Sequence, residues 1–291
     1  MYKNLSPGVV GIQNLSIPDT IAMAREHGFA GIDVNIDALD KLVAEEGLAR
    51  CAARFSEAGI RASHWVLPND WKQSPEQWSR LLGRLDRLAE LSVALGCRRC
   101  CTYFAPASDQ RPYVENFAWH AERLRPVAHI LSAHGIAFGM EFLGPMRLRQ
   151  GRRYPFIYSL GGMLELARAL DAPGVGLLLD AWHLYTSGGS IADLAVLKPG
   201  DVVNVHVNDA PAGVAMEDFQ DDQRCLPMET GIIDTPGLLA ALARIDYAGP
   251  ITAEPFSQRL NAVGARSADA AATEVAASLD AMWDRAGVTS A

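Results

Sequence analysis

The sequence predicts a (β/α)8 barrel, and three observations predict it. Short apolar or β-branched runs alternate with longer amphipathic stretches along the whole chain. There are eight such runs, and 291 residues allot about 36 to each unit, which suits a closed barrel better than an open sheet. Gly28, Gly59, Gly96 and Gly135 each stand between an amphipathic stretch and the next run, where a left-handed helix cap is wanted. Alternation of this kind implies parallel strands joined by right-handed crossovers.

In chain order the strand-like runs are 9–13, 31–36, 60–66, Arg99–Phe104, 136–142, Val175–Asp180, Val202–Val207 and 250–255. Between them apolar residues recur three and four apart. The clearest stretch is 75–95, with Trp78, Leu81, Leu82, Leu85, Leu88, Leu91 and Leu95 on one stripe; 117–133 and 271–283 are others. Asp19, Ser74 and Thr235 mark helix starts, and Pro18, Pro75 and Pro236 suit a first turn. No linker or low-complexity segment divides the chain, so 1–291 is expected to be a single barrel domain.

Composition narrows the function classes. The chain is 49% hydrophobic and 21% charged, the balance of a globular protein with a sizeable core. Its formal charge of −8 disfavours nucleic acid as a partner. No apolar run approaches the roughly 18 residues of a membrane span. The stretch Met1-Tyr-Lys-Asn-Leu-Ser-Pro7 lacks the apolar centre of a signal peptide, so a cytoplasmic protein is expected. Five cysteines, an odd number, point to reduced thiols. Cys97-Arg-Arg-Cys100-Cys101 has metal-ligand spacing but no second Cys or His pair, so Cys100 and Cys101 are expected to be buried and inert.

A barrel directs attention to polar residues that close its strands, because active sites form at the C-terminal ends. The fifth to eighth runs all close this way. Ile136-Ala-Phe-Gly-Met-Glu141 and Val175-Gly-Leu-Leu-Leu-Asp180 end in carboxylates, Val202-Val-Asn-Val-His206 in an imidazole, and Ile251-Thr-Ala-Glu254 in a third carboxylate. Three carboxylates on one rim repel unless a cation neutralises them. Glu141, Asp180, His206 and Glu254 are therefore the candidate ligands of one divalent ion. Their oxygen-rich set suits Mn2+ first, and also Mg2+, Co2+ or Zn2+.

Other residues fall around this rim. His183, in Asp180-Ala-Trp-His183, either caps backbone or contacts a substrate oxygen. Arg224, in the long loop after the seventh run, is either solvated or holds another such oxygen. Trp182 offers a face to a sugar ring or simply packs, and His64 stands at the end of the third run as a further substrate contact. Asp33-Val-Asn35-Ile-Asp37 alternates along the second run. Arg147, Arg149, Arg152 and Arg153 follow the fifth run, where they form a solvated face, a subunit contact or a site for a substrate anion.

Glu141, Asp180-x-x-His183, His206 within Val205-His206-Val207-Asn208-Asp209, and Glu254-Pro255-Phe256 together resemble the xylose-isomerase-like barrel superfamily. The resemblance spans most of the chain and is specific for the superfamily, not for a substrate. It implies one divalent ion on Glu141, Asp180, His206 and Glu254. It also implies proton exchange by the two glutamates, and substrate oxygens bound by His183 and Arg224. The reaction expected is isomerisation or epimerisation of a sugar or sugar phosphate through an enediolate. A lyase or dehydratase acting on a keto-sugar or keto-inositol begins with the same proton abstraction, and a non-catalytic sugar-binding barrel is a third class. The AP endonucleases of the superfamily need three zinc ions and further histidines; Asp221-Asp222-Gln223-Arg224-Cys225 has none. The expected partner is a small carbohydrate, and a homo-oligomer remains open.

Overall fold

A computed structural model describes residues 1–289. The strands β1 (Tyr2–Leu5), β2 (Gly31–Val34), β3 (Arg61–Val66), β4 (Arg99–Phe104), β5 (Ala137–Phe142), β6 (Val175–Asp180), β7 (Val202–Val207) and β8 (Pro250–Ala253) close in that order into a barrel, and β8 pairs back onto β1. Every barrel pairing is parallel. The (β/α)8 fold is thus the one the alternation predicts. Around it lie α1 (Ile17–Glu26), α2 (Ile36–Glu46), α3 (Leu48–Ala58), α4 (Pro75–Ala94), α5 (Tyr113–Ala133), α6 (Leu160–Ala169), α7 (Ala181–Thr186), α8 (Thr235–Arg244), α9 (Gln258–Gly264) and α10 (Ala268–Ala286).

Local chemistry sets the helix limits. Ser74 and Gln77 form a reciprocal capping box at the start of α4, with Pro75 in the first turn. The stripe Leu81, Leu85, Leu88 and Leu91 is buried, each side chain contributing about 1.5–3 kcal/mol. Gly28, Gly59, Gly96 and Gly135 all adopt positive φ, as the helix-glycine-strand pattern requires. Thr235 opens α8 as expected, with Asp234 as its cap, and Asp19 lies in the first turn of α1, where Ser16 accepts from its N–H.

The first strand is a correction. Residues 9–13 are not a strand: Pro7–Val10 is a 3-10 turn ended by Gly11 in the left-handed region. The strand is Tyr2–Leu5, whose Asn4 faces polar partners inside the barrel, donating to Asp33 Oδ1 at 2.6 Å and Thr252 Oγ1 at 2.9 Å. Val10 and Ile12 are buried for another reason, as part of the main hydrophobic core. The second and eighth strands end earlier than 31–36 and 250–255. Asn35 leaves β2 to cap α2 by accepting from Asp37 and Ala38, and Glu254 lies one residue past β8.

Deep in the barrel, Cys101, Leu178 and Val203 form a small apolar cluster of their own. A side chain in place of Gly139 would press on Cys101 Sγ and Val203 there. A two-residue antiparallel ribbon, Ala107–Ser108 with Tyr154–Pro155, ties the loop after β4 to the loop after β5. Among the described residues, no helix is long and apolar enough to cross a membrane.

Candidate metal centre and active site

The barrel brings four strand ends to one point. Glu141 is the penultimate residue of β5, Asp180 the last of β6, and His206 the penultimate of β7. Asp180 pairs in register with His206, and His206 with Thr252, so Glu254 emerges beside them, its N–H held by the Val207 carbonyl at 2.9 Å. One ligand atom from each of the four lies within 4.8 Å of the others. His206 Nδ1 is 3.2 Å from Glu254 Oε1 and 3.8 Å from Glu141 Oε1. Glu141 Oε1 and His206 Nδ1 are buried and lack hydrogen-bond partners. Leaving such atoms unpaired is costly, and here they face one another. Three carboxylates and one imidazole nitrogen arranged in this way fit a divalent cation.

The charges around the cage are strongly perturbed. Burial, reinforced by the Glu254 carboxylate, pushes Glu141 well above the usual carboxylate range. Burial alone would raise Asp180 too, but the neighbouring Arg224 guanidinium and the two histidines hold it low. Burial would lower His206, yet Glu254, Glu141 and Asp180 override it and raise the ring to about 10. In the cage as folded, His206 and Arg224 are the cations that balance the carboxylates.

Arg224 enters from the long loop and is 2% exposed. Its Nη1 donates to Glu254 Oε2 at 2.8 Å and Asp180 Oδ2 at 3.0 Å, and its Nη2 to Asp221 Oδ1 at 2.9 Å. His183 lies on α7, immediately after β6. The Gly144 N–H donates to His183 Nδ1 at 3.2 Å. A Cβ at Gly144 would overlap the His183 carbonyl, so this approach requires glycine. Burial pushes the His183 ring down and keeps it neutral. Arg224 Nη2 stands 3.4 Å from His183 Nε2 in hydrogen-bond geometry, so a donor faces each nitrogen of the ring.

The remaining expected residues fall outside the cage. Trp182 is fully buried, its ring 5.1 Å from Phe219 and its N–H donated to Asp221 at 3.0 Å, a placement that matches the packing alternative. His64 is 2% exposed, its Nδ1 2.8 Å from Asp33 Oδ1 and its ring 6.2 Å from His206. It belongs to a polar layer with Asp33, Asn4, Thr252 and Asn204. Asn35 caps α2 and Asp37 pairs with Arg84. Of the arginine run, Arg147 donates to the Asp218 carbonyl, Arg149 to the Gly144 carbonyl, and Arg152 pairs with Asp109 at 2.9 Å. The five cysteines are free; Cys100 and Cys101 are buried in β4 with thiols pushed far up by burial.

Two neighbours of the cage escaped the sequence reading. Asn208 donates to Asp180 Oδ1 at 2.9 Å and to the Glu254 carbonyl at 3.3 Å. Asp209, fully buried, accepts from the N–H groups of Ala210, Thr230, Gly231 and Ile233 at 2.6–2.9 Å. Asp209 also exchanges both backbone hydrogen bonds with Cys225. That clamp closes the loop of 209–233 and fixes Arg224, the residue before Cys225. The signal lay in Asn208-Asp209, two consecutive polar residues directly after β7.

Comparison with known proteins agrees with this architecture. A xylose isomerase domain protein from Alicyclobacillus acidocaldarius superposes with a TM-score of 0.87 at 32% identity, over 98% of this chain and 99% of that one. The 3-dehydroshikimate dehydratase of Pseudomonas aeruginosa is 27% identical over 194 residues, which are 66% of this chain but 28% of that protein. The 2-oxo-tetronate isomerase of Pectobacterium atrosepticum is 24% identical over 72% of both chains. The chain thus spans well under half of the dehydratase and most of the isomerase. The model of the xylose isomerase-like TIM barrel family matches residues 21–282, and the chain belongs to that family.

Proposed function

We propose that this chain is a divalent-metal-dependent isomerase or epimerase of a ketose or related keto-polyol. The observation that carries the reading is the four-residue cage, one ligand atom from each residue within 4.8 Å of the others, in which Glu141 Oε1 is buried without a hydrogen bond. In this reading Glu141, Asp180, His206 and Glu254 hold one ion, Mn2+ before Mg2+, Co2+ or Zn2+. When bound, that ion acts as a Lewis acid on a carbonyl and acidifies the adjacent C–H.

The chain's own groups do the rest. Glu141 and Glu254 flank the centre, one removing the α-proton and the other returning it. Return to the opposite face gives an epimer, and return to the neighbouring carbon an isomer. Ligation lowers a carboxylate's basicity, and the burial of Glu141 opposes that loss. His183 and the Arg224 guanidinium stand together beside the cage, and the guanidinium places positive charge where negative charge would grow on a substrate oxygen. Arg224 also holds Asp180 and Glu254 in place. His64 and Trp182 sit behind these groups and support them.

A second reading, elimination of water from a keto-acid or keto-sugar, is favoured by the 27% identity to a dehydratase. It uses the same first step. Proton NMR in D2O with Mn2+ removed after reaction separates the two. Deuterium at the α-carbon of a product with unchanged formula supports isomerisation or epimerisation; loss of water supports the dehydratase. No exchange with any ketose or keto-acid defeats both.

A further inference from the structure

Lys72 is a half-buried cation at the active-site mouth that neither the fold nor the cage employs. It closes a 3-10 turn, Asn69–Lys72, in the loop leaving β3. The turn is pinned: Trp71, fully buried, donates its indole N–H to Thr102 Oγ1 at 3.1 Å, and its carbonyl accepts from Arg123 at 2.9 Å. The Lys72 ammonium lies 4.0 Å from the ring centroid of Tyr103. Tyr103 is register-paired with Glu141 across β4 and β5 and stays 42% exposed. Among the described residues, no oxygen lies within hydrogen-bonding or salt-bridge distance of that ammonium. Burial, opposed by the Glu141 carboxylate, brings Lys72 down to about 8. The ammonium meets only aromatic faces, Tyr103 and, at 5.3 Å, Trp71, so a partly desolvated cation there has room for an anionic ligand.

We propose that Lys72, held over Tyr103 at the rim beside Glu141, binds a carboxylate on the substrate, so that the preferred substrate is a small hydroxy-keto acid rather than a neutral ketose. This rests on the proposed isomerase reading and names its substrate class. A single ammonium against an aromatic wall suits a monoanion. A phosphate is ordinarily met by several donors; of the arginine run after β5, Arg147, Arg149 and Arg152 are engaged with Asp218, Gly144 and Asp109, and Arg153 lies over the Tyr154 ring.

Titration calorimetry on the Mn2+-loaded full chain tests this with D-erythronate, erythritol and erythritol 4-phosphate. Erythronate should bind at least ~10-fold more tightly than erythritol. Lys72→Met should abolish that preference, and Lys72→Arg should keep most of it. Lys72→Gln carries the same test if Lys72→Met melts early. Three outcomes overturn the proposal: no preference for erythronate in the unaltered chain, a preference that survives Lys72→Met through chelation alone, or tighter binding of the phosphate. A chain that exchanges no α-proton in D2O yet prefers erythronate through Lys72 loses the proposed reaction and keeps this site.

Discussion

The two halves of the barrel share one strand-helix unit but end their strands differently. β5 to β8 finish on Glu141, Asp180, His206 and Glu254, groups whose atoms lie within 4.8 Å of one another. In the first half, Asn4, Asp33 and His64 hydrogen-bond or ion-pair chiefly among themselves and with Thr252. Polar atoms inside a barrel are therefore not equivalent. The first-half group is a mixed set of amide, hydroxyl, imidazole and one carboxylate that pairs within itself and supports the fold. The second-half group crowds three carboxylates and an imidazole together, the donor set of a divalent ion.

The contrast breaks most sharply at the glutamates. Glu141→Gln and Glu254→Gln should each slow α-proton exchange by ~10^2–10^4-fold. The melting temperature should hold or rise in Glu141→Gln, where a like-charge contact is relieved, and fall in Glu254→Gln, which strips buried Arg224 and His206 of a partner. His64→Gln, on the supporting side, should lower stability with a much smaller loss in exchange. Comparable losses on both sides would erase the distinction between the halves.

Asp209 comes next. Asp209→Ala leaves four backbone N–H groups without their acceptor, at about 1–3 kcal/mol for each one that water does not reach. Hydrogen exchange across 209–233 should quicken, and substrate affinity should fall with the misplaced Arg224. Full protection in the variant would show that the Cys225 pairing alone holds the loop.

A smaller effect follows from His206. Without an ion its carboxylate neighbours keep it protonated up to about pH 10, so at neutrality an entering ion displaces that proton. Affinity should rise with pH, by about tenfold per unit while one proton is released. Calorimetry in buffers of different ionisation enthalpy counts the proton, and an affinity flat from pH 6 to 9 would mean His206 is no ligand. The smallest effect is expected at Arg152→Ala, which removes an exposed pair with Asp109 and should cost less than about 1 kcal/mol in denaturant unfolding.

Much of this was legible in the sequence. β4, β6 and β7 carry the very limits read from their runs, because strands buried on both faces are rich in apolar residues. The cage was legible because each strand breaks that rule at its C-terminal end. β1 was not, since Asn4 turns a polar side chain inward where alternation calls for an apolar one, and the more apolar Val9 and Val10 drew the assignment. The Asp209 clamp escaped because its partners, residues 210 to 233, adopt no periodic structure that spacing could reveal. Lys72 escaped because its meaning comes from an absent partner, which only three dimensions display.

The most direct measurement is Mn2+ binding to the metal-stripped chain, by calorimetry and electron paramagnetic resonance, alongside Asp180→Asn and His206→Ala. One ion per chain, weakened at least ~10-fold by either substitution, is the result predicted. A chain that binds no divalent ion, or binds it equally well without Asp180 and His206, would contradict the account.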